Sequence, residues 1–261
     1  MVENKPGAGG QIAMTALRDS PADGSVLCLT PSSLLSVNPH TFRKLAYRPQ
    51  SDAVAVSLLC EYDHALAVGP AVPPAVASIA DYLAWIRSGG IGSYGTPGTA
   101  GVPHLLGVLL TRQSGVGLFN VPYRGSAPAV QDMLGGQVGS VIAPLGEFLP
   151  YLDTGKLRLL AVAGASRSRF ARGVPTLREA GFDIAIRDWF GVFMPPKTPD
   201  EILNRAASNV RAAVDGPELK AGLEQMGMEA RASTPLALAK QVADEDRTWA
   251  GIIKAVGFSP E

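Results

Sequence analysis

The segment 118–138 places the strongest constraint on how this sequence can fold. An apolar run, a small polar turn at 123–126, a helical pattern and then the pair Gly135-Gly136 follow one another. This order predicts one strand–helix–strand unit, with a further strand beginning near Val138. In open α/β sheets such a turn lies at the carboxyl end of a strand, where ligands bind. The segment therefore predicts a parallel sheet with a binding edge.

Strand and helix patterns alternate over most of the chain, so we expect a doubly wound α/β architecture. The strand at 25–30 is expected to be buried on both faces. Further strands are predicted at 53–59, 65–68, 91–94, 138–142, 157–162 and 189–194. Helices are predicted at 9–19, 78–87, 102–113, 146–153, 175–180, and in three stretches after Thr198, Gly216 and Thr234. Thr198 is expected to cap the first of these three.

The composition excludes several classes of protein. Of the 261 residues 46% are hydrophobic, and Lys plus Arg and Asp plus Glu both number 23, so no overall positive field favours nucleic acid. No apolar run reaches the length of about 18 residues that a membrane span requires. Cys28 and Cys60 are expected to be free, buried thiols, with one disulfide as the alternative.

Signatures of catalysis are missing from the sequence. It has no G-x-S-x-G, H-E-x-x-H, Walker A or complete G-x-G-x-x-G motif. His40, His64 and His104 lie far apart without metal-ligand spacing. We therefore expect no catalytic residues, no metal and no cofactor.

Four loops have the small residues and backbone N–H groups that bind anions next to a helix start. The loop at 95–101 has the most of these small residues and N–H groups. Pro97 lacks an N–H group, so the donors of this loop are expected at 98–101. The alternatives are that the glycines only permit tight turns, that Arg124 is an ordinary surface residue, and that Ser126 caps a helix. The candidate residues of the four loops are Gly9, Gly10, Ser32, Ser33, Thr96, Gly98, Thr99, Ala100, Gly101, Tyr123, Arg124 and Gly125. Ala143 and Pro144, in the loop after the strand predicted at 138–142, complete the set of candidate ligand-binding residues.

Several stretches together resemble the tripartite tricarboxylate transporter substrate-binding family, the Bug family of periplasmic receptors. They are 2–10, 21–24, 38–39, 94–106, 118–138, 155–162, 174–181 and 189–193, in family order. The resemblance implies a type II periplasmic-binding-protein fold that closes by a hinge, with lobe one at 1–68 plus 187–261 and lobe two at 69–186. It also implies a small carboxylate ligand, delivery to the membrane components of a transporter, a monomer and no enzymatic activity.

Two departures from the family pattern qualify that expectation. The family's signal peptide, first strand, glycine-rich loop and first helix are absent before 3–6, so we expect an N-terminally truncated lobe one. The alternatives are a degenerate truncated paralogue, or a cytosolic enzyme or ligand-sensing domain of the same architecture. Many relatives carry an Asp in the loop where this chain has Ala143 and Pro144. A plain carboxylate is therefore favoured over an amino acid, because neither residue offers a side-chain acceptor.

Overall fold

The computed structural model describes residues 1–258 and divides the chain into two compact units. Unit 1 contains Met1–Glu61, Asp188–Glu224 and the part from Glu229 onward, and unit 2 contains Tyr62–Arg187 and Gln225–Met228. The predicted lobes differ from these units, because 62–68, Arg187 and 225–228 all belong to unit 2. Residues 259–261, assigned to lobe one, lie outside the described residues.

Unit 1 is built on strands β1 (Cys28–Pro31), β7 (Arg187–Met194) and the first half of β2 (Val54–Val68). Strand β1 pairs antiparallel with β7, which pairs with β2, and the short β8 (Met228–Ala230) also pairs with β2. The helices of this unit are α1 (Gln11–Arg18), α2 (Ser33–Ser36), α3 (Asn38–Thr41), α7 (Asp200–Asp215), α8 (Pro217–Gln225) and α9 (Pro235–Val256).

The main core of unit 1 packs α1, α2 and α9 against β7. Met14, Leu35, Trp189, Phe193 and Leu238 are all essentially inaccessible to solvent there. Burying each such side chain contributes roughly 1.5–3 kcal/mol. The indole of Trp189 is therefore part of this core.

Unit 2 contains a sheet in which β3 (Ser93–Thr96) lies between two parallel neighbours, β4 (Phe119–Pro122) and β5 (Ser140–Pro144). The second half of β2 runs antiparallel to β5 and to β6 (Arg158–Val162). The helices are α4 (Ile79–Arg87), α5 (Val102–Ser114) and α6 (Ser126–Leu134), with 3-10 turns at Leu145–Glu147 and Leu149–Thr154.

Most of the predicted elements are confirmed, including the β4–α6–β5 unit and the helix predicted at 78–87, which is α4. Ser78 caps α4, since its Oγ accepts from the Asp81 N–H at 3.1 Å. Both cysteines are free, although Cys28 is only partly buried. The prediction that 25–30 is buried on both faces was wrong. Leu29 is 55% exposed, so the face of β1 that carries this side chain is open to solvent.

Three other predictions were also wrong. The segments 53–59 and 65–68 belong to one continuous strand, β2, and the predicted helix at 175–180 is a bridge followed by turns. Thr198 does not cap α7, because its hydroxyl donates to the Pro195 carbonyl oxygen at 2.8 Å and Pro199 is the cap residue.

Residues 225–228 join unit 2 through a close backbone contact. A Cβ atom added to Gly146 would lie 1.9 Å from the carbonyl oxygen of Met226, and one added to Gly227 would lie 3.0 Å from Gly146 Cα. Any side chain at position 146 would therefore force the two backbones apart.

We expect Gly146→Ala to lower the free energy of unfolding by about 1–3 kcal/mol, because the clash involves backbone rather than a flexible side chain. The matched control is Gly173→Ala, since an added Cβ there meets no atom within 4 Å. That control should change stability by no more than about 0.5 kcal/mol. Urea denaturation measures the free energy of unfolding of both variants. Equal values for the two variants would contradict the close backbone contact.

Candidate functional site

The candidate site in unit 2 lies where three parallel strands end. Because β4, β3 and β5 run in the same direction, the loops that follow Thr96, Pro122 and Pro144 lie at one edge of the sheet. Helix α5 begins after the first of these loops and α6 after the second. The edge therefore combines two helix N-termini with the loops that the sequence singled out.

The loop after β3 is shaped by the hydroxyl of Thr96. Thr96 Oγ1 lies 2.7 Å from the carbonyl oxygen of Gly98 and 2.7 Å from Asn120 Oδ1, and the residue is fully buried. Both neighbours are acceptors, so this hydroxyl donates within the loop. Asn120 was missed in the sequence, because its role depends on the register of β3 and β4.

The loops after β3 and β4 are joined by backbone hydrogen bonds. The Tyr123 N–H donates to the Thr96 carbonyl oxygen at 2.8 Å, and the Gly125 N–H donates to that of Pro97 at 3.2 Å. Within unit 2, these bonds join the turn at 123–126 to the start of the loop that contains 98–101. The two loops form one continuous surface feature.

Ala100 has an unusual conformation in this loop. Its φ of 60° is in the left-handed region, which costs a non-glycine residue roughly 1–2 kcal/mol, and its side chain is fully buried. The Ala100 N–H donates to His104 Nδ1 at 3.1 Å. Ala100 was predicted to donate to a ligand, but in this structure a side chain of α5 accepts that hydrogen bond.

The N-termini of α5 and α6 have no side-chain caps. Gly101 is the N-cap residue of α5 and Gly125 is that of α6. Ser126 is the first residue of α6, so the alternative that it acts as the cap was wrong. No acceptor among residues 1–258 binds the N–H groups of Gly98 or Gly101.

Four more predicted residues line the same edge. The Tyr123 hydroxyl donates to Asp132 Oδ2 at 2.8 Å. Desolvation is the larger cause, and the Asp132 carboxylate the smaller one, that together raise the pKa of Tyr123 to about 12. Arg124 is exposed in the turn before α6. Ala143 is buried and Pro144 ends β5, so neither presents a polar side-chain atom.

The unit 1 candidates lie in two loops. Gly9 and Gly10 have φ values of 61° and 87°, and Asn38 Nδ2 donates to the Gly9 carbonyl oxygen at 3.0 Å. Ser32 is buried and its Oγ donates to Asp188 Oδ1 at 2.5 Å, whereas Ser33 is partly exposed at the start of α2. Of the two serines, Ser33 is therefore the one with an accessible side chain.

Two further carboxyl groups lie near this serine contact, the buried Glu61 and the partly buried Glu245, and no sequence pattern marks them. Asp188 Oδ1 also accepts from the Trp189 N–H at 2.8 Å, and the Trp189 indole donates to Glu245 Oε1 at 2.8 Å. Arg231 Nη1 donates to both carboxylate oxygens of Glu61 at 2.8–2.9 Å. Burial, with Asp188 and Glu61 adding smaller effects, raises the pKa of Glu245 to about 7.

Two α/β units that share strand β2, with helix N-termini at a strand-end edge, have the architecture of periplasmic binding proteins. The family model described as the tripartite tricarboxylate transporter family receptor matches residues 1–258. The chain belongs to this receptor family.

Relatives and solved structures agree with that assignment. A Cupriavidus necator protein is 31% identical over 99% of this chain and 78% of its own length, and BugT of Bordetella pertussis is 29% identical over 98% and 79%. A Rhodopseudomonas palustris protein solved with adipate covers the whole chain and 87% of its own length at 29% identity and a TM-score of 0.93. The structure of MatC of the same species, with bound malate, covers 95% of this chain and 85% of its own length, at 28% identity and a TM-score of 0.85.

These findings make the chain a receptor of the solute-binding class, whose members are periplasmic. The family match and these relatives do not favour the alternative of a cytosolic enzyme or sensing domain. Within residues 1–258 no helix is both long and apolar enough to cross a bilayer, and no cluster of three or more His, Cys, Asp or Glu side chains could hold a metal ion.

Glu245 gives unit 1 a stability that depends on pH. Its ordinary pKa is 4.5 and its pKa in the folded protein is about 7, so the folded state retains the proton over that interval while the unfolded state loses it. Its contribution is present below pH 4.5 and is lost as pH rises toward 7. At about 1.4 kcal/mol per pH unit the loss has an upper limit of about 3 kcal/mol.

We therefore expect Glu245→Gln, which stays neutral, to flatten the decline in unfolding free energy between pH 5 and 7. Urea denaturation at several pH values measures this slope for both proteins. Glu218→Gln is the control, because it makes the same change at a glutamate that is exposed on α8. A slope that is unchanged in the Gln variant would contradict the assignment.

Proposed function

We propose that this receptor captures a small organic acid through the loop edge of unit 2 and delivers it to the membrane components of a tripartite tricarboxylate-type transporter. The observation that carries the proposal is the pair of uncapped helix N-termini at one sheet edge, at Gly101 and Gly125. The adipate and malate in the two related solved structures support a carboxylate as the ligand class.

Backbone N–H groups provide the attraction for a carboxylate. Those of Gly98 and Gly101 have no acceptor among residues 1–258, and Thr99 lies between them. Each helix N-terminus carries the equivalent of about half a positive charge, which favours a nearby anion by roughly 0.3–1 kcal/mol. Together with charge-assisted hydrogen bonds this is the chemistry that recognises a carboxylate.

Side chains at the same edge select among acids. Arg124 can pair with a carboxylate, and its exposure makes that pairing sensitive to salt. Ala143 and Pro144 have no side-chain acceptor for the ammonium group of an amino acid. The proposed ligand is therefore a plain carboxylate, with a mono- or dicarboxylate preferred over an amino acid.

Within unit 1, the proposed ligand contacts are Gly9, Gly10, Ser32 and Ser33. Among them Ser33 is favoured, because the hydroxyl of Ser32 already donates to the buried Asp188 carboxylate. The proposal assigns the protein to the periplasm, as a monomer that binds without chemical change. Membership in a family of receptors supports the location and the absence of chemical change.

Gly98→Ala tests the role of the loop in binding. An added Cβ there meets no protein atom within 4 Å, so the variant should melt within about 2 °C of the parent protein. A ligand that approaches the backbone closely would meet the new methyl group, and we expect at least a tenfold weaker affinity for malate or adipate by calorimetry. Gly173→Ala should bind like the parent protein. Unchanged affinity in Gly98→Ala would contradict the proposed site.

Ligand class is tested by titrating the parent protein with adipate, malate, acetate, glutamate and aspartate. We expect the organic acids to bind with at least tenfold higher affinity than the amino acids, because no side-chain acceptor is present at 143–144. Tight binding of an amino acid alone would refute the ligand class. It would leave the family assignment intact.

A further inference from the structure

The loop that is proposed to bind the ligand depends on a hydrogen bond from its backbone to a helix side chain. The Ala100 N–H donates to His104 Nδ1 at 3.1 Å, and Ala100 is fully buried with a left-handed φ of 60°. A buried N–H group without an acceptor is costly, and alanine has no intrinsic preference for this conformation. The imidazole therefore compensates for a backbone geometry that the loop would otherwise tend to leave.

A second hydrogen bond, to the backbone of His104, fixes the position of this residue. Tyr94 is buried on β3, and its hydroxyl donates to the carbonyl oxygen of His104 at 3.1 Å. A Cβ added to Gly107 would lie 2.2 Å from Tyr94 Cζ, so the tyrosine ring lies directly against the α5 backbone. These contacts fix the first turns of α5 on the strand that leads into the loop.

The hydrogen bond resembles a capping box that is shifted by one residue. In a capping box the side chain of the third helical residue accepts from the N–H of the N-cap residue. Here the cap is Gly101, and His104, the third residue of α5, accepts instead from the residue before the cap. The Gly101 N–H is thereby left without a protein acceptor among residues 1–258.

We propose that His104 is a positioning residue for ligand binding, which holds Ala100 in its left-handed conformation through Nδ1 and so presents the N–H groups of Gly98 and Gly101 to a carboxylate. The effect on affinity rests on the proposed function, whereas the effect on the loop does not. Acceptance at Nδ1 requires the tautomer in which Nε2 carries the proton.

Three substitutions separate the acceptor from the bulk of the side chain. Asn places its Oδ1 where Nδ1 lies, Gln has its polar atoms one bond further out, and Ala has none. We expect the Ala100 amide to exchange with solvent at least tenfold faster in His104→Ala and His104→Gln than in the parent protein. His104→Asn should restore most of the protection. Malate or adipate affinity should follow the same order, with a loss of about tenfold that Asn rescues.

Amide hydrogen exchange by NMR and calorimetry give the two readouts separately. Equal protection of the Ala100 amide in all variants would overturn the positioning role. The same holds if His104→Asn protects this amide no better than His104→Gln does. If the parent protein binds no carboxylate while the exchange pattern appears as expected, the proposed function fails and the role in the loop stands. The imidazole ¹⁵N spectrum of the parent protein needs no variant to fold, and a proton on Nδ1 would overturn the proposal.

Discussion

The parallel register of β4, β3 and β5 is the constraint on which the candidate site depends. Pairing of Tyr94 with Asn120 and of Gly95 with Val141 fixes where the three strands end, and therefore where their loops meet. Within that frame the Thr96 hydroxyl, the Asn120 amide and the His104 imidazole each hold one part of the first loop. The backbone N–H groups are thus positioned by side chains that need not touch the ligand.

Much of the fold was predictable because its signals are local. The turn residues and apolar pattern of 118–138 identified β4, α6 and β5, and Ser78 and Thr234 marked helix starts that the structure confirms. The proximity of the loops at 98–101 and 123–126 was also predictable. It follows from the connection rules of parallel sheets rather than from any single residue.

The failures have physical causes that the sequence does not display. Burial of a strand face depends on what packs over it, which an apolar pattern does not reveal, and Leu29 of β1 is exposed despite that pattern. Glu61 and Asp63 interrupt the apolar pattern of β2 where that strand passes from unit 1 to unit 2, which made one strand resemble two. The role of His104 depends on a φ value at Ala100 that no propensity predicts.

Amide chemical-shift mapping with malate or adipate tests the central claim most directly. Ligand is added to ¹⁵N-labelled protein, and the shift of every assigned backbone N–H group is followed to saturation. If the strand ends of unit 2 bind the carboxylate, the amides of Gly98, Thr99, Gly101 and Gly125 will be among those that shift most. Saturable binding that leaves these four amides unchanged and shifts a different surface would contradict the account.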